Sequence, residues 1–458
     1  MSDRIRLKSG GIFFLLFFLF TLSAGITQNR FPKPEFESDY QQPKTTTPDP
    51  RAQLFELIDV GVLLFMLAGA TYFAHRQRSR RVLFIMAAAA VLYFGFWRKG
   101  CICAVGSFQN MALAVFNNGY AIPVSVILFF LMPVVFTLFY GRTFCASVCP
   151  LGAVQELVLI RPVRVPYVLQ ATLGLIPFLY LGFSVLFAAT GAAFIVCRFD
   201  PFVAFFRMSG PFYMLILGFF FLVIGTIVGR PYCRFFCPYG VILGWMSSLS
   251  RSHVSITPDD CIQCRLCENA CPYGAIRRPV QKAPETRKAG VKRLKIMLLT
   301  APLIIFVFGW GTAQLYPILS GVHYTVRLAE QIQRENTDTS LPATLESEGF
   351  RTSGVPTEAL FSEAAIIQNQ FRKGGWILGG FIGLILVWKV VGHSVVRTRQ
   401  DYETDRFLCF SCARCFRSCP KEQVRLRGKQ ESRNTKKDDR RARTADRSKR
   451  LKISRLED

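Results

Sequence analysis

Two cysteine runs with the same spacing constrain this chain more than any other feature. Each run follows C-x2-C-x2-C-x3-C-P, and the two read Cys261-Ile-Gln-Cys264-Arg-Leu-Cys267-Glu-Asn-Ala-Cys271-Pro272 and Cys409-Phe-Ser-Cys412-Ala-Arg-Cys415-Phe-Arg-Ser-Cys419-Pro420. This spacing is typical of bacterial ferredoxins, in which such a run holds a [4Fe–4S] cluster. A structural zinc site also uses four thiolates, but usually as two separated C-x2-C pairs. The runs therefore predict two [4Fe–4S] clusters.

The ligands of each cluster are predicted to come from both runs. In two-cluster ferredoxins the fourth cysteine of each run binds the other cluster. One predicted cluster is held by Cys261, Cys264, Cys267 and Cys419, and the second by Cys409, Cys412, Cys415 and Cys271. Strongly apolar sequence separates the runs. They can therefore form one domain only if the chain leaves a membrane surface and returns to the same side.

The apolar sequence predicts an integral membrane protein built of helices. The chain is 51% hydrophobic and contains 43 Phe, and a helix needs about 20 apolar residues to cross a bilayer. Windows of that kind lie at residues 11–26, 55–74, 82–97, 121–140, 167–190, 211–229, 294–312 and 374–392. Barrel strands would be shorter and would alternate in polarity, so α-helices are expected.

The distribution of charge orients these spans. The net charge is +26, and Lys and Arg gather in segments 76–81, 161–164, 230–234 and 277–295 and in the tail after span eight. This positive-inside pattern places the N-terminus and both cysteine runs in the cytoplasm. The basic tail is expected near anionic lipid, and the absence of a base-reading motif argues against nucleic acid as a partner. The first window also fits a cleavable signal peptide, which would leave the topology unchanged.

A second pair of cysteine motifs repeats inside the membrane region. Phe144-Cys145-Ala-Ser-Val-Cys149-Pro150-Leu-Gly resembles Tyr232-Cys233-Arg-Phe-Phe-Cys237-Pro238-Tyr-Gly, and a Gly-Arg pair precedes each. Spans three and four would form one unit of the repeat, and spans five and six the other. Repeats of the same direction are related by an axis along the membrane normal. Such an axis would bring Cys145, Cys149, Cys233 and Cys237 together near the cytoplasmic surface, and Cys101 or Cys103 near Cys197 at the outer surface.

Several uses are consistent with these C-x3-C-P cysteines. Buried cysteines can serve as small apolar residues, and a Cys-Pro pair can simply mark the end of a helix. Four soft thiolates also select an Fe–S cluster, Cu(I) or Zn, and two reversible disulfides are a further alternative. We predict a third metal or Fe–S centre at Cys145, Cys149, Cys233 and Cys237. An outer redox site at Cys101, Cys103 and Cys197 rests on topology alone.

The predicted outer segment, residues 313–373, contains an amphipathic stretch at Val326–Ile332 and a second helix at Glu358–Phe371. It either docks a periplasmic partner or fills the return between two spans. Ser353-Gly354-Val355-Pro356-Thr357 is similar to a covalent flavin-attachment site, except that Pro replaces a small residue, and we predict a loop there. No residue signature marks a quinone site.

The duplicated CxxxCP motifs and the ferredoxin runs together resemble the membrane-bound 4Fe–4S polyferredoxins of the NosR/NapH/MauN type, over roughly residues 55–280 and the second run. The FixG/CcoG type, which is associated with copper reduction, is a more distant likeness. The resemblance implies electron transfer between cytoplasmic donors or the quinone pool and periplasmic redox enzymes, as a subunit of an oxidoreductase complex. The alternative is an assembly factor that handles copper or another metal. This chain departs from the pattern by the extra helical hairpin before its second run, by the expected lack of a large N-terminal flavin domain, and by its outer cysteines.

The predicted fold is an all-α polytopic membrane protein of about eight transmembrane helices, with an internal two-fold repeat and a small cytoplasmic α+β module of the two-cluster ferredoxin type. The expected boundaries are an anchor and linker at 1–54, the repeat core at 55–250, the first half of the ferredoxin module at 251–293, the hairpin at 294–392, the second half at 393–428 and a basic tail at 429–458. The expected location is the bacterial inner membrane, with the module and the C-terminus in the cytoplasm.

Overall fold

The computed structural model describes residues 52–100, 103–117, 119–256, 261–280, 287–338, 340, 342–394, 399–428, 431 and 435. The first predicted span, Cys101 and most of the basic tail lie outside these residues. The helices, numbered α1 to α20 in chain order, are Gln53–Tyr72, Arg80–Ala90, Ala104–Phe116, Val124–Tyr140, Thr143–Ser147, Pro150–Leu157, Tyr167–Leu173, Ile176–Ala189, Ile195–Phe199, Val203–Arg207, Phe212–Gly225, Pro231–Phe235, Pro238–Ser248, Leu266–Ala270, Arg287–Gln314, Tyr316–Ser320, Tyr324–Thr337, Leu345–Thr352, Thr357–Ser394 and Arg414–Ser418. Two π-helical segments, Phe73–Gln77 and Val91–Trp97, extend α1 and α2, and two short strands, β1 (Ile276–Arg277) and β2 (Glu403–Thr404), complete the described elements.

Five helical segments among the described residues are long and apolar enough to cross a membrane. They are Gln53–Gln77, Arg80–Trp97, Val168–Ala189, Gly290–Gln314 and Thr357–Gly392. The windows predicted at 121–140 and 211–229 fall on α4 and α11, which have 17 and 14 residues. Both are shorter than the length of about 20 residues that a perpendicular span needs. The chain is thus a helical protein with several candidate spans, and the number eight stays a prediction.

The helix α19 joins two elements that the sequence analysis separated. The predicted outer helix Glu358–Phe371 and the last span form one continuous helix of 38 residues, Thr357–Ser394. Gly374 and Gly375 lie where the separation was expected, and each is packed closely against a neighbour, Leu186 and Ala313 respectively. The helix therefore continues through its glycines, where neighbouring helices pack against it.

A stripe of glycines lets α15 and α19 pack backbone to backbone. Gly375, Gly379 and Gly383 are spaced four residues apart, so they lie on one face of α19. A Cβ added at Gly379 would collide with the carbonyl oxygen of Phe308 in α15. Such small-residue stripes allow close helix packing in membranes. The close packing fixes the hairpin that carries the chain to the second cysteine run.

The predicted outer segment is packed onto the hairpin. The apolar face of α17, including Val326 and Ile332, is buried together with Phe371 of α19 and Phe187 of α8. Ser353, Gly354, Val355 and Pro356 form the connection between α18 and α19, and Thr357 begins α19. The amphipathic stretch therefore buries its apolar face inside this chain.

The two halves of the ferredoxin-like module meet despite their separation along the chain. Strands β1 and β2 pair antiparallel, with Ile276 opposite Thr404. A further antiparallel bridge joins Val280 to Arg399. The short helices α14 and α20, one from each cysteine run, pack against each other. The runs thus contribute to one small domain.

Candidate iron–sulfur sites

The backbone of each cysteine run has the same turn geometry. Gln263 and Arg265 have φ values of 53° and 61°, and Ser411 and Ala413, at the matching positions, have 53° and 60°. Residues other than glycine rarely adopt this left-handed conformation, because it costs roughly 1–2 kcal/mol each. Its recurrence at matching positions shows that both runs wrap in the same way. A tight loop of this kind directs closely spaced cysteines toward one centre.

The first group of cysteines combines both runs. Cys267 lies within electrostatic range of Cys261, Cys264 and Cys419. Burial raises the pKa of the Cys267 thiol to about 11. Since a metal ligand must be deprotonated, iron binding there would release a proton.

The second group lines a small cavity, to which Cys271, Cys409, Cys412 and Cys415 all contribute. Cys415 lies within electrostatic range of the other three. Burial raises the pKa of the Cys409 thiol to about 12. The cysteines are therefore grouped in the crossed arrangement of a two-cluster ferredoxin, while their binding of clusters stays a prediction.

The four C-x3-C-P cysteines are also brought together. Cys149 and Cys237 are buried, and each immediately precedes a helix that begins with proline. Cys149 lies within electrostatic range of Cys145, Cys233 and Cys237. The repeated motif therefore converges on one region between the two units.

Two hydrogen bonds reach the sulfurs of this group. The Gly240 amide donates to Cys237 Sγ at 3.3 Å, and Gln155 Nε2 donates to Cys233 Sγ at 3.4 Å. Hydrogen bonds to cysteine sulfur are one means by which proteins tune an Fe–S centre. The sequence analysis did not single out Gln155. Its position in α6, the apolar helix that begins directly after Cys149, is a local signal that could have found it.

The cysteines predicted to lie at the outer surface are Cys101, Cys103 and Cys197. A Cβ at Gly106 would lie 3.1 Å from Cys197 Sγ, so Cys197 lies against the first turn of α3, which follows Cys103. Cys103 and Cys149 line the same small cavity, together with the buried carboxyl of Asp200. The helix α3 is buried over its first turns, from Ala104 to Gln109. Cys101 lies outside the described residues.

A buried carboxylate that the sequence analysis missed joins these regions. Glu156 is fully buried and accepts hydrogen bonds from Arg230, Arg414 and Tyr273. Arg80 donates to it as well. Burial alone would raise the pKa of Glu156, but Arg230, Arg80 and Arg414 outweigh that effect and hold the pKa well below its usual range. A lone glutamate in an apolar helix is the only local signal for this role.

Every cysteine among the described residues carries a free thiol. Within the same part of the chain, no three His, Cys, Asp or Glu side chains are arranged to hold a single metal ion.

Comparison with known proteins identifies the kind of site. One family described as a 4Fe-4S binding domain matches residues 122–165, 210–257 and 267–297, and a second family of the same description matches residues 254–277. The first of these families covers both C-x3-C-P motifs. No solved structure matches the chain.

Three curated proteins are similar in sequence to this chain. An uncharacterized protein of Methanocaldococcus jannaschii is 29% identical over 40% of this chain and 77% of its own length. Protein NirI of Paracoccus denitrificans is 30% identical over 47% of this chain and 35% of its own length. The putative electron transport protein YccM of Escherichia coli is 27% identical over 34% of this chain and 47% of its own length. The chain thus spans less than half of the two relatives that carry names.

The apolar helices and the cysteine sites together define a membrane iron–sulfur protein. More particularly, the 4Fe-4S binding domains matched by parts of the chain and its likeness to NirI and YccM support the resemblance to membrane-bound 4Fe–4S polyferredoxins that the motifs predicted.

Proposed function

We propose that this protein transfers electrons across or along the inner membrane between a cytoplasmic or quinone partner and a periplasmic redox partner. Two [4Fe–4S] clusters would be held by the crossed cysteine groups of the ferredoxin-like module. A third Fe–S or other thiolate-bound centre would be held by Cys145, Cys149, Cys233 and Cys237. Bound clusters of this kind supply one-electron transfer.

The observation that carries the proposal is the contact between the two kinds of cysteine site. Tyr273, Ala275 and Phe410 form a small buried apolar cluster. The cysteines packed against this cluster are Cys145, Cys233, Cys271, Cys409 and Cys412. The module and the membrane repeat are therefore in direct side-chain contact at this point, which provides a short path between the two kinds of site.

A second contact extends the path toward the outer side. Cys103 and Cys149 line one cavity, although the sequence analysis assigned them to opposite surfaces of the membrane. A hydrocarbon core of about 30 Å is too wide for an electron to cross in one transfer step without an intermediate redox centre. The inward position of Cys103 shortens the remaining distance, which supports a conduit rather than an isolated cytoplasmic module.

The residues present fit the groups that they are proposed to hold. Each proposed site offers four cysteines, and thiolates are the ligands that [4Fe–4S] clusters use. Near the third site, the Nε atom of Arg142 is buried and has no hydrogen-bond partner in the described part of the chain. A buried cation without a carboxylate partner is costly unless another negative group lies nearby. A thiolate-bound cluster would be such a group.

The relatives support the same function, since YccM is described as a putative electron transport protein. The partners we propose are membrane lipid and other redox proteins of a respiratory complex, with no nucleic acid. The ferredoxin-like module and the C-terminus would face the cytoplasm, as the positive-inside distribution of Lys and Arg indicates.

The test is a count of iron and sulfide in the detergent-purified protein, joined to EPR of its reduced form. Three clusters give about twelve irons per chain, and two give about eight. The Cys145→Ala and Cys237→Ala variants should lose about four irons and one EPR signal. Ser147→Ala, in the same motif, is the matched control and should keep all of them.

A wild-type count of about eight irons, with the EPR signals of both ferredoxin clusters intact, would show that the protein holds no third cluster. If the C-x3-C-P thiols of that protein also bound Cu(I) tightly, the metal-handling assembly factor would replace the conduit. Unchanged electron transfer in Cys145→Ala and Cys237→Ala would likewise contradict a conduit through this site.

A further inference from the structure

In each of the two Gly-Arg pairs of the repeat, the arginine contacts the C-x3-C-P motif of the other unit. Arg230, from the second unit, donates to the carbonyl oxygens of Cys145 and Ala146 in the first unit, the latter at 2.8 Å. It also lies against Gly152, which ends the first motif. Arg142, from the first unit, lies against Gly240, which ends the second motif. Each unit therefore supplies an arginine to the cysteine turn of the other.

Both arginines also contact the second cysteine run. The guanidinium carbon of Arg142 lies 4.3 Å from the centre of the Phe410 ring, and that of Arg230 lies 5.6 Å from it. Arg142 Nη1 donates to the Phe407 carbonyl oxygen at 2.9 Å. Phe410 directly follows Cys409 in the run. The two cations and this ring therefore lie between the C-x3-C-P cysteines and a cysteine of the ferredoxin-like module.

The buried and half-buried charges around this point do not balance. Arg80, Arg230 and Arg414 all pair with the single carboxylate of Glu156. Arg142 is buried and makes no ion pair with any carboxylate among the described residues. Burying a surplus of positive charge is strongly unfavourable without a compensating anion. Four cysteine thiolates around an Fe–S cluster would provide that anion.

We propose that Arg142 and Arg230 are positioning residues that compensate the negative charge of a cluster at Cys145, Cys149, Cys233 and Cys237 and thereby set its reduction potential. This inference rests on the third centre of the proposed function. Reduction adds one negative charge to the cluster, and nearby positive charge stabilises the reduced form. Net charge and hydrogen bonding around the sulfurs are known controls of such potentials. The pair would thus keep the third centre easier to reduce than its buried, apolar surroundings alone would allow.

The test is an EPR-monitored redox titration of the full-length protein in detergent, applied to wild type, Arg142→Gln and Arg142→Lys. Arg142→Gln removes the charge and should shift the midpoint potential of the third centre to a more negative value. Arg142→Lys keeps the charge and should stay near the wild-type potential, even though it loses the geometry of the guanidinium. Arg277→Gln, which removes a charge paired with Asp405 elsewhere in the module, is the control and should leave that potential unchanged.

Two results would overturn the inference. One is an Arg142→Gln protein that keeps its full iron content and an unshifted potential. The other is an Arg142→Lys protein whose potential moves as far as that of Arg142→Gln, because geometry and not charge would then be responsible. If Arg142→Gln fails to assemble, the Arg142→Lys titration decides by itself, since a clearly lowered potential contradicts the charge effect. If the third centre does not exist, the result is different, because the wild-type protein then shows only the EPR signals of the two ferredoxin clusters.

Discussion

Arg230 Nε donates to Glu156 Oε2 at 2.9 Å, and both side chains are fully buried. Glu156 follows the first C-x3-C-P motif, and Arg230 precedes the second. The same carboxylate accepts from Tyr273, just after the first ferredoxin run, and from Arg414, inside the second. One ion pair therefore connects the two units of the membrane repeat to both halves of the ferredoxin-like module.

Replacing this carboxylate should loosen the module from the membrane repeat. In Glu156→Gln, the buried guanidinium of Arg230 and the half-buried ones of Arg80 and Arg414 lose their shared anion, and removing one partner of a buried pair typically costs about 3–5 kcal/mol. We expect a clearly lower thermal unfolding temperature in detergent and faster proteolysis between the module and the helices. Glu346→Gln removes an exposed pair with Arg327 and serves as the control, with little expected change. Equal stability of the two variants would contradict the role given to Glu156.

The contribution of Glu156 should not vary with pH in the physiological range. Its arginine partners hold its pKa below the ordinary value of 4.5, so its contribution is complete above that value and is lost only as the pH falls toward the lowered pKa. The difference in unfolding temperature between wild type and Glu156→Gln should therefore be constant from about pH 6 to about pH 8. A difference that disappears near neutral pH would show that the carboxyl is protonated in the folded protein.

The crossed arrangement of cysteines predicts which variants share a defect. Cys419→Ser should lose the same EPR signal as Cys264→Ser, although the two cysteines belong to different runs. Cys271→Ser should instead match Cys412→Ser. Ser418→Ala, next to Cys419, is the control and should retain both signals. If Cys419→Ser and Cys412→Ser lose the same signal, each run binds its own cluster.

The glycine stripe of α19 predicts that a side chain larger than that of glycine does not fit at Gly379. A methyl group at Gly379 would collide with the backbone of α15, and such overpacking typically costs about 1–3 kcal/mol. We expect Gly379→Ala to lower the thermal stability and to expose the second cysteine run to protease. At Gly311 an added Cβ meets nothing within 4 Å, so Gly311→Ala is the matched control and should be neutral. An unaffected Gly379→Ala protein would mean that the two helices do not pack this closely.

Features that depend on neighbours along the chain could be predicted from the sequence. The spacing within each cysteine run predicted a ferredoxin-like site because a short loop can turn its own cysteines toward one centre. The apolar windows within the described residues coincided with helices because hydrophobic length is a local property. The small-residue stripe of α19 was also visible, as Gly at every fourth position, but the sequence analysis did not use it.

Composition and cysteine spacing were enough to establish the kind of protein, a membrane 4Fe–4S protein with two kinds of cysteine motif, since neither requires knowledge of distant contacts. The packing of the folded chain was needed to show that Arg80, Arg230 and Arg414 share Glu156. It also placed Cys103 and Cys149 on one cavity, whereas topology alone had kept them at opposite surfaces. These relationships join residues far apart in the chain, and they arise because buried charges must find partners wherever packing brings them.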